Sequence, residues 1–180
     1  MPFEPEIRAA AAKHNIPYDL LYAQVRQESA FDNMAASRCG ARGLLQLMPA
    51  TGEECGLRTA ADFFDAQKNL FAGALYLRRM YKSAKSMVIS LPKIYKGKPT
   101  VNECTEDDYW KLALAGYNGG LGYMIKAINI CLMDGHPVKW ETVSAHLSDK
   151  REVVHGHDPD EKQIIDYVTK IWANYKEATA

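Results

Sequence analysis

A mainly α-helical fold in one domain is predicted by three features of this 180-residue chain. Apolar residues recur at helical spacing in separate stretches, most clearly over residues 18–29, 65–81 and 160–176. The strongest breakers, among them Pro17, Gly56, Pro92, Gly97 and Pro99, fall between those stretches and not inside them. No internal repeat, low-complexity tract or linker divides the chain, and 47% hydrophobic residues supply a core large enough for a single domain over residues 1–180.

Residues 3–14 form the first expected helix, with Phe3, Ile7, Ala10, Ala11 and His14 roughly on one face. Asn15-Ile16-Pro17 interrupts it, and Pro17 suits the first turn of the helix over 18–29. Residues 32–48 carry Gly40 and Gly43 and no long helical period, so irregular backbone with a short hairpin is expected. Met48-Pro49-Ala50-Thr51 opens a short helix that ends before Gly56. Asp65 is the N-cap of a helix to about Tyr81, whose stripe of Leu70, Phe71, Ala74, Leu75, Leu77, Met80 and Tyr81 should be buried.

Residues 83–105 read as a loop, long for a compact domain and therefore a candidate lid or contact surface. Asp107 and Asp108 start the next helix, which leads into Ala115-Gly116-Tyr117-Asn118-Gly119-Gly120. Another helix fits 121–133. Residues 134–160 are polar and irregular, with one short helix around 142–147. A last amphipathic helix over 160–176 packs through Ile164, Ile165, Tyr167, Val168, Ile171, Trp172 and Tyr175.

Lys plus Arg and Asp plus Glu balance at 22 each, which argues against broad electrostatic capture of nucleic acid or anionic membrane. No apolar run approaches the roughly 20 residues that span a bilayer, so stable membrane insertion is not expected. Cys39, Cys55, Cys104 and Cys131 show no zinc-ligand spacing; reduced thiols are expected, with a Cys39–Cys55 bridge as the alternative. The acidic start Met1-Pro2-Phe3-Glu4-Pro5-Glu6 lacks the regions of a secretory signal, which implies synthesis in the cytoplasm.

The chemistry concentrates around Glu28. Tyr18, Leu21, Tyr22 and Val25 mark the inward face of their helix, and Glu28 follows Leu21 by seven residues and Val25 by three. A carboxylate on such a face is partly dehydrated, and its proton is held more tightly, as a general acid near neutral pH requires. The alternative is an exposed acid in the last helical turn, or one paired with Arg26, Arg38 or Arg42.

Two further stretches keep company with the one that carries that acid. Gln27-Glu28-Ser29-Ala30-Phe31, then Gly43-Leu44-Leu45-Gln46-Leu47-Met48-Pro49-Ala50-Thr51, then Ala115-Gly116-Tyr117-Asn118-Gly119-Gly120, resemble the soluble lytic transglycosylase family, relatives of goose-type lysozyme. The Asn69-Leu70-Phe71-Ala72-Gly73-Ala74-Leu75-Tyr76-Leu77 run and Ile165-Asp166-Tyr167-Val168 extend the resemblance, which covers about residues 17–175 with interruptions at 83–105 and 131–158. It implies a mainly α, lysozyme-like α+β fold, a helical domain with a small β-like lobe flanking a glycan cleft. It also implies cleavage of the β-1,4 bond between N-acetylmuramic acid and N-acetylglucosamine in peptidoglycan, with a 1,6-anhydro product.

On the resemblance, Glu28 is the catalytic acid and then base. Ser29 hydrogen-bonds near the substrate or Glu28, or else is an end-of-helix hydroxyl bonded to backbone. Gln46 binds substrate near the cleavage point, where an amide offers both donor and acceptor to an N-acetyl group. Met48 lines a sugar subsite, its ordinary alternative being core. Gly43 acts by lacking a side chain, allowing close backbone approach or a positive φ. Tyr117 packs along the cleft and Asn118 bonds to sugar. Tyr167 matches a tyrosine whose hydroxyl reaches the catalytic Glu, the alternative being a core tyrosine. The chain departs from the family pattern in having Gly116 in place of the usual Ala, and Gln163 four residues before Tyr167.

No metal or cofactor is expected. His155-Gly156-His157-Asp158 and nearby His146 match no ligand spacing and read as a solvated loop, and the Gly116-to-Gly122 stretch lacks a phosphate-loop Lys. The expected partner is the glycan strand of peptidoglycan, met by a monomer. The lack of signal, lipid anchor and wall-binding domain fits a phage endolysin or virion-associated lysin, holin-dependent or carried by the particle. The alternatives in function are a hydrolytic goose-type muramidase and a non-catalytic glycan-binding or assembly module.

Overall fold

Helical periodicity becomes helix here wherever a cap or a breaker defines its end. A computed structural model describes residues 2–149, 151 and 160–179. Among these lie eight α-helices, one 3-10 turn and one two-stranded hairpin. The chain forms two compact units, one of Met1–Arg78 with Thr169–Ala180 and one of Arg79–Val168.

In the first unit, α1 (Glu4–His14) carries Glu4 and Glu6 in its first turn and Lys13 and His14 in its last, charges that complement the helix dipole. It stops at Asn15, whose left-handed backbone (φ 53°) turns its amide back to Ala11 and Ala12. Pro17 then serves as the N-cap of α2 (Tyr18–Ser29), one position earlier than its expected place inside the first turn. The buried face of α2 centres on Leu20, Leu21, Gln24 and Val25. Tyr18 and Tyr22, expected on that face, sit half-buried at its margin, as does Glu28.

The segment after α2 makes no regular hairpin, only the isolated bridges Ala36–Arg42 and Arg42–Leu47. α3 (Pro49–Glu54) follows Met48 as N-cap. A 3-10 turn, Ala60–Phe64, was not legible in the periodicity; it is closed by reciprocal bonds between Thr59 and Asp62. Asp65 caps α4 (Ala66–Ile89) as expected, its Oδ1 accepting from the Lys68 amide at 2.9 Å. Leu44, Leu45, Leu47, Phe63, Leu70 and Leu77 join Ile7, Leu20 and Leu21 in the core of this unit, none more than 4% exposed.

α4 corrects the expected boundary, continuing to Ile89 where a loop was expected from residue 83. Ala84 and Val88 are 0% and 1% exposed and extend the stripe of Leu77 and Tyr81 by one turn each, and no breaker precedes Pro92. What remains of that loop is itself ordered in the second unit. β1 (Ile94–Tyr95) pairs antiparallel with β2 (Lys98–Pro99), with Ile94 opposite Pro99. Lys96 and Gly97 make the turn with φ of 46° and 82°, the pairing of positive φ values that a tight hairpin needs. Residues 101–104 then run beside Val138, bonded from the Val138 amide to Val101 O (2.8 Å) and from the Glu103 amide to Val138 O (3.0 Å).

α5 (Glu106–Gly119) starts from a Thr105 cap, slightly before the expected Asp107. Its Asp108 carboxylate is shared: one oxygen accepts from the Thr105 amide at 2.8 Å, the other from the Trp140 amide at 3.1 Å. One side chain thereby fixes the starts of two helices. Gly120 (φ 94°) alone separates α5 from α6 (Leu121–Asp134). α7 (Trp140–Ala145) lies two residues earlier than expected. α8 (Glu161–Thr179) begins in the second unit and ends in the first. The four cysteines are free thiols, Cys39 exposed and Cys131 buried. Among the described residues no helix is long and apolar enough to cross a membrane. The His155-Gly156-His157-Asp158 run lies outside the described residues.

Candidate active site

Glu28 occupies the last turn of α2, half-buried, and the chain leaves that helix by an unusual path. Ala30 and Phe31 both adopt left-handed φ values, 50° and 66°. Each costs energy for a residue with a Cβ and persists only when the surroundings enforce it. The Phe31 ring is part of that enforcement, packed on Tyr22 with centroids 4.8 Å apart. The Ser29 hydroxyl donates back to the Val25 carbonyl at 3.3 Å, the end-of-helix role.

The stretch around Gln46 is built as a locked backbone loop. Arg42 and Leu47 exchange two backbone bonds of 3.0 Å, and the Gly43 amide donates to Ala35 O at 2.8 Å. Leu45 and Leu47 are buried while Gln46 is half-buried and Met48 is 45% exposed, so alternate side chains face in and out. Gln46 itself takes φ 42°, a third strained non-glycine residue within the two motifs. Its Nε2 donates to Gly43 O (2.9 Å) and to Ala35 O (3.2 Å). Both amide donors are thus spent on the loop, which corrects the expectation that Gln46 offers donor and acceptor alike: its Oε1 is the atom left for a ligand.

Gly43 has the expected positive φ of 77°, and the close approach it permits is to its own protein. A Cβ there would lie 2.1 Å from Phe63 O and 2.4 Å from Asn69 Nδ2. Asn69, 1% exposed, is the residue that sequence reasoning missed as part of this machinery. Its Oδ1 accepts from the Leu45 amide at 2.8 Å, while Nδ2 donates to Arg42 O at 3.1 Å and Phe63 O at 2.9 Å. The hint available was a polar residue next to Leu70 at the start of a buried helical stripe. Met48 is on the surface, and its alternative reading as core is excluded.

Gly43 and Gln46 are therefore in direct contact, and they share the first unit with Glu28, Ser29 and Met48. The other predicted residues belong to the second unit. Tyr117 and Asn118 end α5, both half-buried. Gly116 beside them is buried, and a Cβ on it would meet Met80 Sδ at 3.3 Å and Met124 Sδ at 3.6 Å. Tyr167 is 6% exposed on α8. A separate cavity of about 640 Å³ in the first unit is floored by Leu57, Phe71 and Leu75 and includes none of the predicted residues.

The sequence and the fold have counterparts among known proteins. The chain matches the transglycosylase SLT domain family over residues 5–131. It is 32% identical over 148 residues to the membrane-bound lytic murein transglycosylase F of Desulfosudis oleivorans, a match covering 81% of this chain and 28% of that protein. The 70-kDa soluble lytic transglycosylase of Escherichia coli superposes with a TM-score of 0.68 at 18% identity, over 99% of this chain and 24% of that one. An inactive Glu-to-Gln mutant of the lytic transglycosylase Slt from Pseudomonas aeruginosa gives 0.66 at 20% identity, over 97% of this chain and 24% of that one. The chain thus spans about a quarter of the length of these proteins. Its mainly α fold with a minor β component is the lysozyme-like fold of these structures, and by its family match the chain belongs to the transglycosylase SLT domain family.

Proposed function

We propose that this chain is a peptidoglycan lytic transglycosylase that cleaves the N-acetylmuramic acid–N-acetylglucosamine β-1,4 bond and leaves a 1,6-anhydro-muramic end. The observation that carries the reading is Glu28, half-buried at the end of α2 and followed by the two left-handed residues Ala30 and Phe31. Strain of that kind collects where a side chain must be held at a defined place. The inactive mutant of the Pseudomonas aeruginosa relative is also a Glu-to-Gln change.

Ordinary glycosidases need two carboxyl groups flanking the bond. One suffices if the 2-acetamido group of the sugar stabilises the developing cation at its own C1. Glu28 in its acid form gives its proton to the leaving glycosidic oxygen. The resulting carboxylate then takes the proton of the 6-hydroxyl as that oxygen closes on C1, and Glu28 ends protonated again. Gln46 Oε1 accepts an N–H from an N-acetyl group, and exposed Met48 offers an apolar face to a sugar ring. Ser29, with its hydroxyl on Val25 O, serves by fixing the end of α2, and Gly43 by letting the loop close on Asn69. In the second unit, Tyr117 and Asn118 are assigned to glycan binding and Tyr167 to the same activity on the family resemblance.

Mass spectrometry of muropeptides released from purified sacculi tests this. The wild type should release 1,6-anhydro ends, and Glu28→Gln should lower the rate by about 10²–10⁴-fold with unchanged circular dichroism. Reducing muramic ends would instead identify a hydrolytic muramidase. Equal clearing of a cell-wall suspension by wild type and Glu28→Gln would reduce the chain to a glycan-binding module.

A further inference from the structure

Three potential ligands converge in the second unit, outside the motifs above. α6 ends at Asp134, and Gly135 (φ 77°) reverses the backbone so that the His136 amide bonds to Cys131 O at 3.1 Å. His146 is the C-cap residue of α7, its amide turned back to Val143 and Ser144. Both imidazoles therefore stand on backbone pinned by a helix end, and α6 and α7 pack on each other. His136 Nδ1 lies 3.1 Å from His146 Nε2, and Asp134 Oδ2 lies 3.9 Å from His146 Nδ1. One atom from each residue falls within 4.8 Å of the others.

We propose that Asp134, His136 and His146 bind one divalent cation of the Zn²⁺ or Co²⁺ class, joining the C-terminal ends of α6 and α7. Imidazole nitrogens sit about 2.0–2.1 Å from such an ion, so two of them 3.1 Å apart subtend roughly 100° at it, between octahedral and tetrahedral geometry. As the rings stand, one imidazole donates a hydrogen to the other. The ion replaces that hydrogen, with both rings turning to aim their lone pairs at it. A carboxylate with two imidazoles is a donor set suited to borderline metals.

The surrounding charge favours a cation. Asp134 and Asp149 set two negative charges against the single guanidinium of Arg151, which bonds to both carboxylates at 2.6–3.0 Å. When Asp134 turns to the ion, Arg151 keeps Asp149. Three protein ligands leave the remaining positions to water. The site is independent of the proposed glycan chemistry, and neither reading depends on the other.

The test is calorimetric titration of the whole EDTA-treated chain with ZnCl₂, followed by CoCl₂ absorption spectroscopy. One ion should bind per chain and raise the unfolding temperature. His136→Ala with His146→Ala, and separately the volume-conserving His136→Gln with His146→Gln, should lose at least about tenfold in affinity while staying folded. The Co²⁺ complex should lack the near-ultraviolet thiolate charge-transfer band that cysteine ligands would give. Absence of saturable binding, binding unchanged in both double variants, or a thiolate band would each overturn the site.

Discussion

Asn69 shows how much one buried side chain can decide. Three backbone groups from two segments, Arg42 O and Leu45 N of the loop and Phe63 O of the 3-10 turn, find their partner in its single amide. Replacing it by aspartate keeps the shape but removes both donors and sets a carboxylate against two carbonyls. Asn69→Asp should destabilise the protein by about 2–4 kcal/mol, since each buried group left unsatisfied costs about 1–3 kcal/mol. A urea titration followed by circular dichroism measures it, and an unchanged midpoint would mean that the loop holds itself without this residue. Glu28 could be singled out because an acid on an apolar helix face is scarce, and Gly43 and Gln46 because they stand in a short motif. The support beneath them was not, because an Asn at the start of a helix is equally at home in water. Gln46 makes the same point in reverse: its type could be read, but which end of its amide is spent on Ala35 and Gly43 depends on the fold.

At the scale of elements, the end of α5 offers the sharpest test. Gly116 lies inside a helix, where glycine costs roughly 0.5–1 kcal/mol relative to alanine. The space for a methyl is bounded by Met80 Sδ at 3.3 Å and Met124 Sδ at 3.6 Å, the ends of flexible side chains that can give way. Gly116→Ala should therefore raise the unfolding temperature by about 1–3 °C in a calorimetric scan. A fall in temperature would show that the two methionines are held too firmly to move. α4 teaches the complementary lesson. Its extension through Ala84 and Val88 follows the same stripe that marks its first half, so the period was in the sequence; the length of the apparent loop hid it.

For the whole molecule, stability should form a dome against pH with identifiable shoulders. The Lys68 ammonium at 2.5 Å, joined by the amides of Arg58 and Thr59, holds the Asp62 carboxyl well below the usual carboxylate range. A depressed carboxyl contributes its stability above the unfolded value of about 3.9 and loses it as pH falls below that. Burial, aided by Asp108 and Cys131, pushes the Cys104 thiol up to about 12. A raised thiol contributes below its unfolded value of about 8.5 and loses that contribution as pH climbs toward 12. The urea midpoint should be flat from about pH 5 to 8 and fall on both sides. Asp62→Asn should flatten the acid limb and Cys104→Ser the alkaline one, and limbs that ignore both changes would place the titrating groups elsewhere.

By itself the sequence determined the order of the main helices, the place of Glu28 at the end of α2 and the family, because periodicity, breakers and short motifs are properties of neighbours along the chain. Only the tertiary structure decided that Asn69 closes the Gly43–Gln46 loop, that Asp108 caps two helices, and that His136 and His146 face each other. No local spacing encodes those pairings: Asn69 and Asp108 are held because backbone groups must find partners, and the two histidines meet because the ends of α6 and α7 pack together.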